Sequence, residues 1–220
     1  MSFLLPWDLT TDRSPVAERV AGDLARRIAT GEIPPGALLT EVETAAAYGA
    51  SRTPMREAML RLERWGLVRL VPKKGSVVTS PLARERHELL GVRAMFERDA
   101  LAAIAPSESL RAAAAADMRD ALAGQEAALG DATAFAASDY AGHMSLIRAA
   151  GNGVVEEILT TLAPRLYRLT HLAVTTSPTG TDGLLDGHRA LADAVAAGDE
   201  AAFGAALDAH LSAGHPGYLA

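Results

Sequence analysis

The chain has 220 residues, no cysteine, 49% apolar residues and a formal net charge of −6. That length and apolar content suffice for one or two packed cores in a globular protein, and the missing cysteine removes disulfides and thiolate chemistry. Met1 to Pro6 carries no basic residue before its short apolar run, and no 18-residue apolar span follows. Neither a secretion signal nor a membrane helix is therefore expected, and a cytoplasmic location is.

After a tail over residues 1–14, Ser14-Pro15 starts a first helix in which Val16, Val20, Leu24 and Ile28 form an i+4 ladder, closed at Gly31 and followed by Pro34-Pro35-Gly36. Thr40-Glu41-Val42-Glu43 is a capping box that opens a short second helix ending near Tyr48-Gly49. A turn of about three residues leads to a third helix at Ser51. Ser51 is placed to cap the free N–H groups of its first turn, and Pro54 sits where its missing donor does no harm. Met55, Ala58, Met59 and Leu62 make one apolar stripe, while Arg52 and Arg56 lie one turn apart on another side. Two guanidiniums so spaced can reach guanine edges or phosphates together, the design of a DNA recognition helix, although an ordinary helix with a solvated arginine face has the same spacing. Trp65-Gly66 ends this helix. Residues 67–71 and 76–79 then read as two strands around the basic tip Pro72-Lys73-Lys74-Gly75, which is a wing. From Arg52 to Lys74 five arginines and two lysines meet two glutamates, a local balance of +5 in an acidic chain.

Residues 15–80 resemble the winged helix-turn-helix of the GntR family of bacterial transcription regulators. Arg52-Thr53-Pro54-Met55-Arg56-Glu57-Ala58 matches that family's most diagnostic segment, and Gly31, Pro35-Gly36, Glu41, Gly66-Leu67-Val68 and Gly75 fall where its pattern expects them. The resemblance implies that Arg52, Thr53 and Arg56 contact the major groove or its phosphates and that Lys73, Lys74 and Gly75 approach the minor groove. Thr44, Tyr48 and Ala50 stand where the family usually has Leu, Leu and Val, which predicts a second helix that is loosened or repacked around the tyrosine.

From residue 81 to 215 strand patterns disappear and the charge reverses, with 10 basic residues against 18 acidic ones after Ser80. Breaks at Pro106-Ser107, Gly130-Asp131, Gly151-Asn152-Gly153, Ser177 to Gly183 and Gly198-Asp199 divide this part into about six helices, 84–105, 108–129, 131–150, 153–174, 184–197 and 200–213. Pro164 is expected to kink the fourth. The fold predicted overall is mostly α: a winged helix-turn-helix of three helices and a two-stranded wing, followed by an all-α bundle.

Asp139 and His143 are four apart on one helix and share a face. His188 and His210 flank Asp199 by 11 residues on either side, so a helical hairpin turning there sets them side by side. Three imidazoles and a carboxylate converging from three helices suit a divalent transition metal. This part also resembles the FCD effector-binding domain found in the FadR-like branch of the same family, through Arg93-Ala94-Met95-Phe96-Glu97, through Asp139 and His143 followed by Ala149-Ala150-Gly151-Asn152, and through His188 and His210. The resemblance implies that Asp139, His143, His188 and His210 ligate a metal and that Arg93 lines the ligand pocket. Arg93 suits a bidentate carboxylate contact, or equally an i, i+4 ion pair with Glu97. Gly142, where the family often has a bulky residue, predicts a roomier pocket. His87, His171 and His215 fit no pattern, and Asn152 reads as a helix cap.

Three functions are compatible with these residues. The first is a homodimeric, ligand-responsive regulator, a repressor by resemblance, that binds a pseudo-palindromic double-stranded DNA operator and responds to a small carboxylate held at the metal. The second is a metal-dependent hydrolase, disfavoured because no His-Asp dipeptide, second zinc-peptidase histidine, phosphate loop or nucleophile elbow is present. The third is a regulator whose metal is structural or is itself the signal. Zinc, nickel and manganese all suit the donor set.

Overall fold

The computed structural model describes residues 5–176 and 180–215. Within these, the elements follow in the order α1 (Val16–Ala29), β1 (Leu38–Leu39), α2 (Glu41–Ala47), α3 (Arg52–Arg64), β2 (Val68–Val71), β3 (Gly75–Val78), α4 (Ala83–Ile104), α5 (Glu108–Ala127), α6 (Ala132–Ala149), α7 (Gly153–Thr176), α8 (Gly180–Ala197) and α9 (Glu200–Gly214). The chain divides into two compact units. One runs to Pro81 and includes Ile158–Arg168 of α7; the other holds Leu82–Glu157 and the described residues from Leu169 on.

The first unit is the three-helix, winged arrangement read from the sequence. Val20, Leu24 and Ile28 of α1 meet Met55, Ala58, Met59 and Leu62 of α3 in one core with Leu67, Val68 and Val78. Each large side chain so buried contributes about 1.5–3 kcal/mol. Val16, the first rung of the ladder, stays 36% exposed in the opening turn. Thr40 caps α2 as its sequence predicts: its hydroxyl accepts from the Glu43 N–H at 3.1 Å and donates to the Glu43 carboxylate at 2.7 Å. Ser51 does not behave as predicted. It occupies the N-cap position of α3 with extended backbone, but its side chain accepts no bond from the first turn.

The second helix is repacked around Tyr48. The ring lies against the core, and its hydroxyl donates to the Asp23 carboxylate on α1. Burial and that carboxylate push the phenol pKa up to about 12. The wing has one strand more than the two expected, because β1 joins β3 to make the sheet order β1-β3-β2, with Leu38 opposite Val77 and Leu39 opposite Ser76. At the wing tip the Lys74 N–H bonds the Val71 carbonyl at 3.0 Å around Pro72 and Lys73, and Lys73 adopts a φ of 63°. This is the backbone of a type II turn with a lysine where glycine is favoured. Gly75 is required by space: a Cβ there would stand 2.5 Å from the Leu39 carbonyl oxygen of β1.

The second unit is all helical. Asp131 caps α6, Asn152 bonds the Val155 N–H at the start of α7, and Asp199 caps α9, so the predicted breaks become helix starts. The expected break from Ser177 to Gly183 is shorter, since α8 already begins at Gly180; residues 177–179 lie outside the described residues. Helix α7 is continuous on both sides of Pro164. Small side chains let α5 lie close to α6 and α8, with Ala114, Ala115 and Ala136 fully or almost fully buried. No described helix is long and apolar enough to cross a membrane.

Candidate functional site

Two sites emerge, one in each unit. In the first, α3, the start of α2 and the wing enclose a groove of about 670 Å³ lined by Arg52, Arg56, Lys73 and Lys74 together with Val42 and Leu60. Arg52, Thr53, Arg56, Lys73 and Lys74 are exposed, and Gly75 is half-buried beneath the turn. Helical spacing aligns the two arginines, and the turn at Pro72-Lys73 projects the two lysines. Arg52 is not free: its guanidinium lies 3.5 Å from the Glu41 carboxylate at the first position of α2. A phosphate or base approaching Arg52 competes with that contact, which is exposed enough to be weak.

In the second unit four side chains from three helices come together. Asp139 and His143 project from α6, His188 from α8 and His210 from α9, all buried, with ligating atoms within 4.8 Å of one another. His143 Nε2 lies 3.2 Å from His210 Nε2 and 3.3 Å from His188 Nε2, and His188 Nε2 lies 3.3 Å from Asp139 Oδ2. The hairpin symmetry about Asp199 does what the sequence predicts, setting the rings of His188 and His210 4.3 Å apart between centroids. Two atoms bonded to one metal at about 2.0–2.1 Å stand about 3–3.4 Å apart, so this donor set fits a divalent transition ion.

The surroundings of the cluster were not legible in advance. His143 Nδ1 donates to Glu97 Oε2 at 2.8 Å, and Glu97 Oε1 lies 3.1 Å from Arg93 Nε. Glu97 thereby fixes the tautomer that turns the Nε2 lone pair of His143 into the cluster. Sequence reasoning paired Glu97 with Arg93 at i, i+4 but missed His143, which is 46 positions away. His215, left out of the site from sequence, lies in electrostatic reach of Arg93, Asp139 and His143; burial and Arg93 push its pKa down to about 4. The roomier pocket expected beside Gly142 is not there, because α5 fills the space: a Cβ on Gly142 would stand 3.3 Å from that of Ala121.

Burial, and with it the positive charge of Arg93, holds His143 and His210 below their ordinary pKa. Burial raises the Asp139 carboxyl, but the three imidazoles outweigh it and its pKa falls. These shifts carry one sign. A histidine kept neutral in the fold takes up a proton on unfolding, so its stabilisation is lost as pH falls below about 6.5 toward its lowered folded value. Asp139 adds a loss only in stronger acid. The chelator-treated protein is expected to melt at progressively lower temperature between pH 7.5 and 5, and a flat profile in that range would contradict the buried neutral imidazoles.

Comparison with known proteins gives a consistent result. The family model for bacterial regulatory proteins of the gntR family matches residues 16–78, and that for the FCD domain matches residues 88–213. An HTH-type transcriptional regulator in an unstable DNA locus of Streptomyces ambofaciens is 34% identical over 86% of this chain and 79% of its own length. A relative from Paenarthrobacter nicotinovorans, named as a probable D-xylose utilization operon transcriptional repressor, is 31% identical over 91% of this chain and 88% of its own. Among solved structures, a GntR-type regulator from Rhodococcus sp. RHA1 shares the fold with a TM-score of 0.74, at 24% identity over 92% of this chain and 97% of the other.

Proposed function

The chain belongs to the gntR family of bacterial regulatory proteins and is a transcription regulator with an FCD domain, and from that premise we propose that it is a homodimeric repressor whose hold on its operator is set by a small carboxylate bound beside a divalent metal. The observation that carries this reading is the buried convergence of Asp139, His143, His188 and His210 next to the Arg93–Glu97 pair. Those four residues would hold the ion, which supplies a Lewis-acidic contact for a carboxylate oxygen. Glu97 orients His143, and the guanidinium of Arg93, held through Nε, offers its terminal nitrogens to the same carboxylate. An effector at this site needs only a different affinity in two arrangements of the protein to move the DNA equilibrium.

On the DNA side the reading assigns Arg52, Thr53 and Arg56 to the major groove and Lys73, Lys74 and Gly75 to the adjoining minor groove. One short helix reads few bases, so two half-sites related by a two-fold axis supply useful specificity. Arg52→Ala and Arg56→Ala are each expected to weaken binding to a selected operator duplex by about 1–3 kcal/mol, measured by fluorescence anisotropy, with affinity falling as salt rises. Unchanged affinity in both variants would sink this docking. Chelation separates a structural ion from one that serves the effector: the first reading expects the helical unit to melt, the second expects only effector response to vanish.

A further inference from the structure

Several large apolar side chains are exposed on this chain, and most need no explanation. Val42 is different. It is 59% exposed in the first turn of α2, and together with Leu60, less exposed at 42%, it lines the groove that also contains Arg52, Arg56, Lys73 and Lys74. Neither the core nor local structure accounts for it: the side chain is not buried, and a β-branched residue is a weak helix former. The preceding residue, Glu41, lies 3.5 Å from the Arg52 guanidinium, so Val42 sits within one turn of that arginine's reach.

The four cations mark this groove for a polyanion, so a partner that covers the valine is a polyanion that also carries an apolar group. The edge of a base pair in the major groove offers hydrogen-bond donors, acceptors and one apolar group, the C5-methyl of thymine. We infer that Val42 is a specificity-determining residue that shelters a thymine methyl in the base pair next to the one Arg52 contacts. This rests on the assignment of the groove as the DNA-facing surface.

The test begins by selecting the tightest duplex from a randomised pool with the full chain. Each thymine of a half-site is then replaced, one at a time, by deoxyuridine, which lacks only the methyl, and affinity is read by anisotropy for the native protein and for Val42→Ala. At one thymine per half-site the native protein is expected to lose about four-fold in affinity, the worth of one methyl group sheltered from water. Val42→Ala is expected to bind the parent duplex with a similar loss and to treat uracil and thymine alike at that position. Its exposure and the helix preference of alanine keep the variant folded, which a melting curve verifies. A flat deoxyuridine scan, or full discrimination retained by Val42→Ala, overturns the inference while leaving DNA binding intact. Failure to enrich any duplex overturns the DNA-facing assignment itself, and the inference falls with it.

Discussion

Glu97→Gln is expected to destabilise the helical unit by about 3–5 kcal/mol, because it strands the buried Arg93 guanidinium without its counter-charge. Both side chains are almost fully enclosed, 3% and 0% exposed, so water cannot take over the role of the carboxylate. The same change removes the charged acceptor from His143 Nδ1, and loss of such an outer partner typically lowers metal affinity about 10- to 100-fold. The two effects separate in a double variant. Arg93→Met with Glu97→Leu replaces the ion pair by apolar groups and is expected to recover most of the melting temperature, since a buried pair is often no more stabilising than a packed hydrophobic substitute. It is not expected to recover metal affinity, because His143 still lacks its carboxylate. Calorimetric melting and chelator competition measure the two quantities, and equal recovery of both would show that Glu97 acts on packing alone.

Gly187→Ala is the second large effect. A Cβ built on this residue of α8 falls 2.6 Å from His210 Nδ1 and 3.2 Å from His210 Cβ. The Cβ atom is tied to the backbone of α9, so the ring cannot simply swing aside; either the imidazole turns out of the cluster or α8 and α9 separate. Overpacking of this kind costs about 1–3 kcal/mol. A displaced His210 leaves three ligating groups, and metal affinity is expected to fall at least as far as for Glu97→Gln. Gly91→Ala serves as the comparison, since no heavy atom lies within 4 Å of its added Cβ, and it is expected to leave affinity unchanged. Equal behaviour of the two glycine variants would refute the packing role of Gly187.

The helices were legible because their signals are local. The apolar ladder of α1, the stripe of α3, the capping box at Thr40 and the breaks at Gly130-Asp131 and Gly198-Asp199 each act within a few positions, and the structure uses them much as read, with Asp131 and Asp199 serving as the caps of the helices that follow. Strand β1 was missed for the same reason: two residues carry no alternation, and Leu38–Leu39 is a strand only because β3 lies beside it. Ser51 has the residue type and position of a cap and still makes no capping bond, so residue type alone does not establish the contact.

For the buried Asp/His cluster, the sequence by itself picked out the four candidate ligands. Asp139 and His143 share a helix face at i, i+4, and the turn at Gly198-Asp199 brings His188 and His210 together, so two local relations give two pairs, which the family resemblance joins into one candidate site. Only the tertiary structure decided what surrounds them. Glu97 reaches His143 across 46 positions, Gly187 makes room for the ring of His210, and Ala121 closes the space beside Gly142. These contacts depend on how far apart and at what rotation α4, α5, α8 and α9 pack. That arrangement is set by the summed burial of many side chains along each helix, and no short stretch of residues encodes it.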